Sequence, residues 1–180
     1  MAIWDDLKGK WGLSNLGYTD YSGNGNTLTP QGSPANATGH AGGTDRAMAF
    51  ATAQYATGNC LYIPDANQVG LEPAAAITLS LWVKATSLPT SGSYTWLISK
   101  MLAGGNYSYD LYVEGATKKV KARLSLDGTA LVTCTGATVL TTATWYNIVV
   151  VYNGIDIRIY INGALDSNGA NNPYTYSGGI

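Results

Sequence analysis

Two stretches of the chain carry residue types able to do chemistry at a regular spacing. In TDYSGNGN, Asp20, Ser22, Asn24 and Asn26 alternate along a Gly-rich turn. A carboxylate together with amide and hydroxyl oxygens suits Ca²⁺, so Asp20, Asn24 and Asn26 are candidate metal ligands. Asp and Asn in such turns equally bond their own backbone, and that reading stands beside the metal. In KKVKARLSL, Lys119, Lys121 and Arg123 share one side of a strand, with Lys118 next to them. Such a row attracts an anionic glycan, or does no more than keep a wet strand face soluble and its edge unpaired. Tyr94, Tyr107, Tyr109, Tyr112 and Tyr160 fall in or near strand-like segments. They are candidate ligand-binding residues, because sugar rings stack their C–H faces on flat aromatic surfaces that carry a polar tip.

Bond-breaking chemistry has less to stand on. Retaining glycoside hydrolysis needs two carboxylates about 5–5.5 Å apart. The chain has two glutamates, Glu72 before Pro73 in a loop and Glu114 before Gly115 at a strand end. Asp110 and Glu114 read as solvent-facing residues of a sheet. His40 is the only histidine and lies in the loop-like GHAGGTD, so no Ser-His-Asp or Cys-His grouping is credible. Cys60 and Cys134 allow one pairing but read as two small buried thiols, since neither sits in a CxxC motif. No Gly-rich phosphate cradle opens a helix. The sequence reads as a protein that is not an enzyme.

These residues must be positioned by a folded body, and the composition supports one. The 180 residues fit a single domain over 1–180, and 46% hydrophobic residues can fill a core. Charged residues are 12% and the net charge is -1, which leaves no basic surplus for nucleic acid. Asp5 and Asp6 interrupt any apolar export segment at the start, and WYNIVVVY at 145–152 is strand-sized, far short of a membrane span. The sequons at Asn36 and Asn106 carry meaning only in a secreted eukaryotic chain.

The elements are strands. In ITLSLWVK, Ile77, Leu79, Leu81 and Val83 fall on one face, and Thr78, Ser80, Trp82 and Lys84 on the other. KKVKARLSL and IDIRIYI repeat the pattern, the latter with Ile155, Ile157, Ile159 and Ile161 inward. Alternation with one wet face belongs to antiparallel sheets. Asn153-Gly154 and Asn162-Gly163 are read as two-residue hairpin turns, since both turn positions need positive φ. Further strands are expected near 46–50, 60–63, 95–99, 107–113 and 130–134. Apart from a weak helical spacing in WDDLKGKW, nothing else is helical. The class is all-β, an antiparallel two-sheet β-sandwich.

The order SGNGNTLT, AMAF, CLYIPD, ITLSLWVK, WLISK, YDLYV and WYNIVVVYNGIDIRIYINGAL resembles laminin G-like jelly-roll domains of the concanavalin A-like lectin and glucanase superfamily, over nearly the whole chain from residue 14. The resemblance implies calcium near the TDYSGNGN turn, core positions for Trp82 and Trp145, and use as a carbohydrate-binding or protein-binding module. Glycanases of that superfamily carry Glu-x-Asp-x-x-Glu on one strand, which this chain lacks. Family members continue after the YINGAL hairpin into closing strands, whereas here SGGI ends the sequence at Ile180. Either the chain is part of a longer polypeptide or the closing strands are missing. In the second case another chain, a second copy included, or the same chain in an unusual path is expected to cover the open edge. Two functions stand side by side: a lectin-like recognition module of a cell surface, and a structural or decoration protein of a phage virion.

Overall fold

The computed structural model describes residues 6–14, 17–51, 58–72, 75–102, 106–125 and 128–166. The chain divides into two compact units, Met1–Glu72 and Pro73–Ile180. In the first, β1 (Thr29–Gln31) pairs antiparallel with β4 (Cys60–Tyr62), and β2 (Ala35–Thr38) pairs antiparallel with β3 (Arg46–Ala49). A 3₁₀ turn follows at Asp65–Asn67. WDDLKGKW forms no helix over its described residues; Trp11 instead makes an isolated antiparallel bridge with Asp20.

The second unit holds two antiparallel four-stranded sheets. One contains β5 (Ile77–Lys84), β10 (Trp145–Tyr152), β11 (Ile157–Ile161) and β12 (Ala164–Leu165), in the order β12-β11-β10-β5. The other runs β6 (Tyr94–Leu102), β7 (Asn106–Glu114), β8 (Lys119–Ser125) and β9 (Leu131–Val139) in chain order. The alternation dictates which face turns inward. Ile148, Val150, Ile157 and Ile159 of one sheet meet Leu111, Val120, Ala122 and Leu124 of the other in a single core, with Leu79 and Leu81 of β5 packed against it. This is the jelly-roll sandwich that the pattern implies, all-β with no α-helix among the described residues. The segment after residue 166, on which the question of the closing strands turns, lies outside the described residues.

Several local expectations need correcting. Asn162 and Gly163 do form a two-residue turn, with φ of 51° and 82° between Ile161 and Ala164. The loop at Asn153-Gly154 is longer, because Tyr152 pairs with Ile157 and leaves the four residues 153–156 between the strands. The Asn153 Oδ1 accepts the N–H groups of Ile155 and Asp156, both at 2.9 Å, so the side chain closes the turn that the backbone leaves open. Ile155 therefore points to solvent instead of into the core. Trp82 was expected to be buried, yet it is 48% exposed, since period two groups it with Thr78, Ser80 and Lys84 on the outer face. Trp145 is half-buried and has the Lys84 ammonium 5.1 Å from its ring centroid. Both cysteines are free thiols, Cys134 buried and Cys60 half-buried.

Strand β9 is the last of its sheet, so its outer amides need partners. Asp166, just after β12, supplies some. Its carboxylate accepts the N–H groups of Ala137 (2.9 Å) and Thr138 (3.1 Å) as well as the Thr138 hydroxyl. The edge is thus capped where Gly136 leaves room, for a Cβ there would lie 2.5 Å from the same carboxylate.

Candidate binding site

On β7, alternation sends Tyr109, Leu111 and Val113 to the core and Asp110, Tyr112 and Glu114 to the opposite face. In register on either side stand β6, with Trp96 opposite Tyr112 and Tyr94 opposite Glu114, and β8, with Arg123 opposite Asp110 and Lys121 opposite Tyr112. A β-bulge between Trp96 and Ile98 does the decisive positioning. It lets Leu97 and Ile98 both pack against the core while Trp96 stays beside Tyr112 on the outer face.

Three rings and a guanidinium result. Tyr94, Trp96 and Tyr112 are mutual neighbours, with centroids 4.9 Å apart for Trp96–Tyr112, 5.4 Å for the edge-on Tyr94–Tyr112 pair and 6.0 Å for Tyr94–Trp96. The Arg123 guanidinium carbon sits 5.2 Å from the Trp96 centroid and 4.8 Å from that of Tyr112, within cation–π range. Its Nε donates to both Asp110 oxygens at 3.1 Å and its Nη2 to Oδ2 at 2.6 Å, a forked charge-assisted pair. Asp110 is only 1% exposed, so the expectation of a solvent-facing carboxylate fails there: the strand-paired Arg123 closes on it. Burial lifts its carboxyl above the ordinary value, with the Arg123 hydrogen bonds and charge opposing that shift. Beside it, Lys121 Nζ donates to Glu114 Oε1 at 2.6 Å, and this bond with that from the Thr117 hydroxyl holds the Glu114 carboxyl below its ordinary value.

The five tyrosines expected to bind ligand do not share one face. Tyr94 and Tyr112 come together on this platform. Tyr109 is buried in the core, and Tyr107 lies half-buried opposite Met101, beyond a second register shift of the β6–β7 pair. Tyr160 lies on the outer face of the other sheet, between Val149 and Leu165. Sequence reasoning missed Trp96, whose position depends on the bulge. It also missed the Asp110–Arg123 pair, although opposite charges at alternate positions of two adjacent strands are a legible signal for it. Nor are Asp110 and Glu114 placed as a hydrolytic pair. Four residues apart on one strand, their backbones stand about 13 Å from each other, and each carboxylate is spent on a cation.

The TDYSGNGN turn tells a different story from the expected calcium site. Asp20 Oδ1 accepts the N–H groups of Lys10 (2.9 Å) and Ser22 (2.8 Å), and Oδ2 accepts the Ser22 hydroxyl (2.7 Å) and the Asn26 N–H (2.9 Å). Four donors fill the roughly four lone-pair positions of a carboxylate. Asn26 accepts the Val69 N–H on Oδ1 at 2.7 Å and donates Nδ2 to the carbonyls of Lys8 and Val69, while Asn24 donates Nδ2 to the Leu7 carbonyl at 2.8 Å. Trp11 Nε1 closes the knot on the Asn26 carbonyl at 2.7 Å. Burial opposes the charge on Asp20, but these donors prevail and hold its carboxyl below the ordinary value. N–H groups converging on the carboxylate make a pocket for negative charge, so Asp20, Asn24 and Asn26 as arranged do not fit Ca²⁺. They pin Lys8–Trp11 and Val69 to the turn.

The comparisons with known proteins agree with this architecture. The laminin G-like family model described as the concanavalin A-like lectin/glucanases superfamily matches residues 54–179, or 126 of the 180 residues. No curated protein and no solved structure matches the chain. With its antiparallel sandwich and a match over more than half its length, the chain belongs to the concanavalin A-like lectin/glucanase superfamily, in its laminin G-like branch.

Proposed function

We propose that this protein is a non-catalytic recognition module that binds carbohydrate on the outer face of the β6–β9 sheet. Membership of the superfamily supports a carbohydrate-binding or protein-binding module. One observation carries the choice of face and ligand: Tyr94 and Trp96 are 49% and 41% exposed, yet both rings pack on Tyr112, and Trp96 is flanked by Arg123. Large rings left in water but already fixed in place offer contact area at little further entropic cost, which is what a sugar-stacking surface requires. Arg123 and Lys121 border the rings with polar donors for hydroxyl groups. Among the described residues, the carboxylates of this face, Asp110 and Glu114, are each paired with a cation.

A glycan array followed by calorimetry tests this. Trp96→Ala should weaken the best hit at least about tenfold, as loss of a central aromatic contact does. Trp82→Ala, on the outer face of the other sheet, should leave it unchanged. Silence across the array, together with copies that associate through the Trp96 face, would reassign the surface to packing between subunits, as in a virion or similar assembly.

A further inference from the structure

We propose that Asp110 and Glu114 are specificity-determining residues that make this face select uncharged, hydroxyl-rich ligands and reject polyanions. The inference rests on the reading of the β6–β9 face as a glycan-binding surface, and it names the class of glycan. By sequence, Lys119, Lys121 and Arg123 form a cationic row suited to sulfated or sialylated chains. The fold cancels most of that row. The Arg123 fork is closed on Asp110 at 2.6–3.1 Å, and Lys121 is closed on Glu114 at 2.6 Å. The aromatic platform therefore contains two cations and two carboxylates, with a local sum of zero.

An incoming sulfate or carboxylate meets each guanidinium or ammonium with an anion already attached. It must displace a carboxylate that is covalently tethered to the same sheet, or sit beside one and be repelled. Arg123 cannot swing away from Asp110 easily, because its guanidinium also lies within cation–π range of the neighbouring Trp96 and Tyr112 rings. Of the other cations, Lys118 turns its ammonium onto the carbonyls of Pro89 and Gly115, and Lys119 stands at the start of β8, beyond the register shift and opposite Val139. A net charge of -1 on the chain adds no long-range attraction for polyanions. A hydroxyl, by contrast, can accept from the remaining donor positions of Arg123 or Lys121 without breaking either pair.

The test uses the full chain, an array of neutral and sulfated oligosaccharides, and immobilised heparin as the polyanion, at 20 and 300 mM salt. Wild-type protein should bind neutral glycans with a Kd that changes less than about twofold between the two salts, because no ion pair forms with the ligand. It should pass heparin unretained. Glu114→Gln, which leaves Lys121 uncompensated at a partly exposed position, should gain heparin binding of about threefold or more at 20 mM salt, the effect of one unit charge about 6 Å away in water, and lose the gain at 300 mM. Asp110→Asn should do the same for Arg123. Because that change disturbs a buried pair, Glu114→Gln serves as the readout if Asp110→Asn does not fold. Heparin binding by the wild type at low salt, or a folded Glu114→Gln variant with no gain, would overturn charge selection. If neutral glycans still bind through Trp96 in that case, the recognition reading survives. A wild type that binds no neutral glycan overturns both.

Discussion

Replacing Asp20 by Asn removes one oxygen and the charge while keeping the shape of the side chain. With Oδ1 left on Lys10 and Ser22, the new amide nitrogen faces the Asn26 N–H, which then has no acceptor inside a residue that is fully buried. An orphaned buried donor costs about 1–3 kcal/mol, and loss of charge assistance on the two remaining amide bonds costs about 0.5–1 kcal/mol each. The expected destabilisation is about 3 kcal/mol. For a chain of this length that lowers Tm by about 6–12 °C. Differential scanning calorimetry of wild type and variant measures it directly. A drop of less than 2 °C would show that the knot does not carry stability and that the four donors to Asp20 are replaceable by water. The same samples address calcium. A site with Kd of about 10⁻⁴ M would stabilise the wild type by about 2.3 kcal/mol at 5 mM Ca²⁺, or about 5–9 °C. No shift beyond 1 °C is expected, and a shift of that size would refute the argument that Asp20 has no lone pair to offer.

Acid titration of the same pair gives a second check. The Asp20 carboxyl is held below its unfolded value of 3.8, so its contribution is present above about pH 4 and is lost as pH falls through the lower folded value. The stability gap between wild type and Asp20→Asn should therefore close in acid, and a gap independent of pH down to 2 would contradict the donor network. Asp110 acts in the opposite sense: its raised carboxyl takes up a proton in the folded state first, so protonating it relieves a cost. In the core, Ile148→Ala should cost about 2–5 kcal/mol by urea denaturation, while Ser80→Ala on the outer face of adjacent β5 should stay within about 0.5 kcal/mol. Equal effects would mean the inward face is misassigned. Gly115→Ala would place a Cβ 1.8 Å from the Thr90 carbonyl and 2.7 Å from that of Ser93, so the turn leading into Tyr94 must move. A cost of about 2–3 kcal/mol is expected by equilibrium unfolding, with weaker ligand binding alongside it; wild-type stability and affinity together would show the turn to be slack.

The sequence by itself determined the class of fold and its inside. Period two in ITLSLWVK, WYNIVVVY and IDIRIYI reports on single strands, needs no partner to be read, and names the residues that fill the core, from Ile77 to Ile161. Asn162-Gly163 was legible for the same reason, being a property of two residues and their φ angles. The same period, applied to β7, separates Tyr112 from Tyr109, although the sequence analysis groups both as ligand-binding, and it sets Trp82 outward against the burial that the family resemblance implied. What only the tertiary structure decided was neighbourhood across strands. The bulge at Leu97 breaks the alternation and brings Trp96 beside Tyr112, and folding places Arg123 on Asp110 and Lys121 against Glu114, pairing two of the three cations in the row. In the TDYSGNGN turn the choice between metal and backbone rested on Lys8, Lys10 and Val69, residues distant in the chain whose amides and carbonyls reach Asp20 and Asn26 once the chain folds. Strand periodicity is encoded residue by residue, whereas pairing depends on which long-range partners arrive, and a single chain order does not contain that distance.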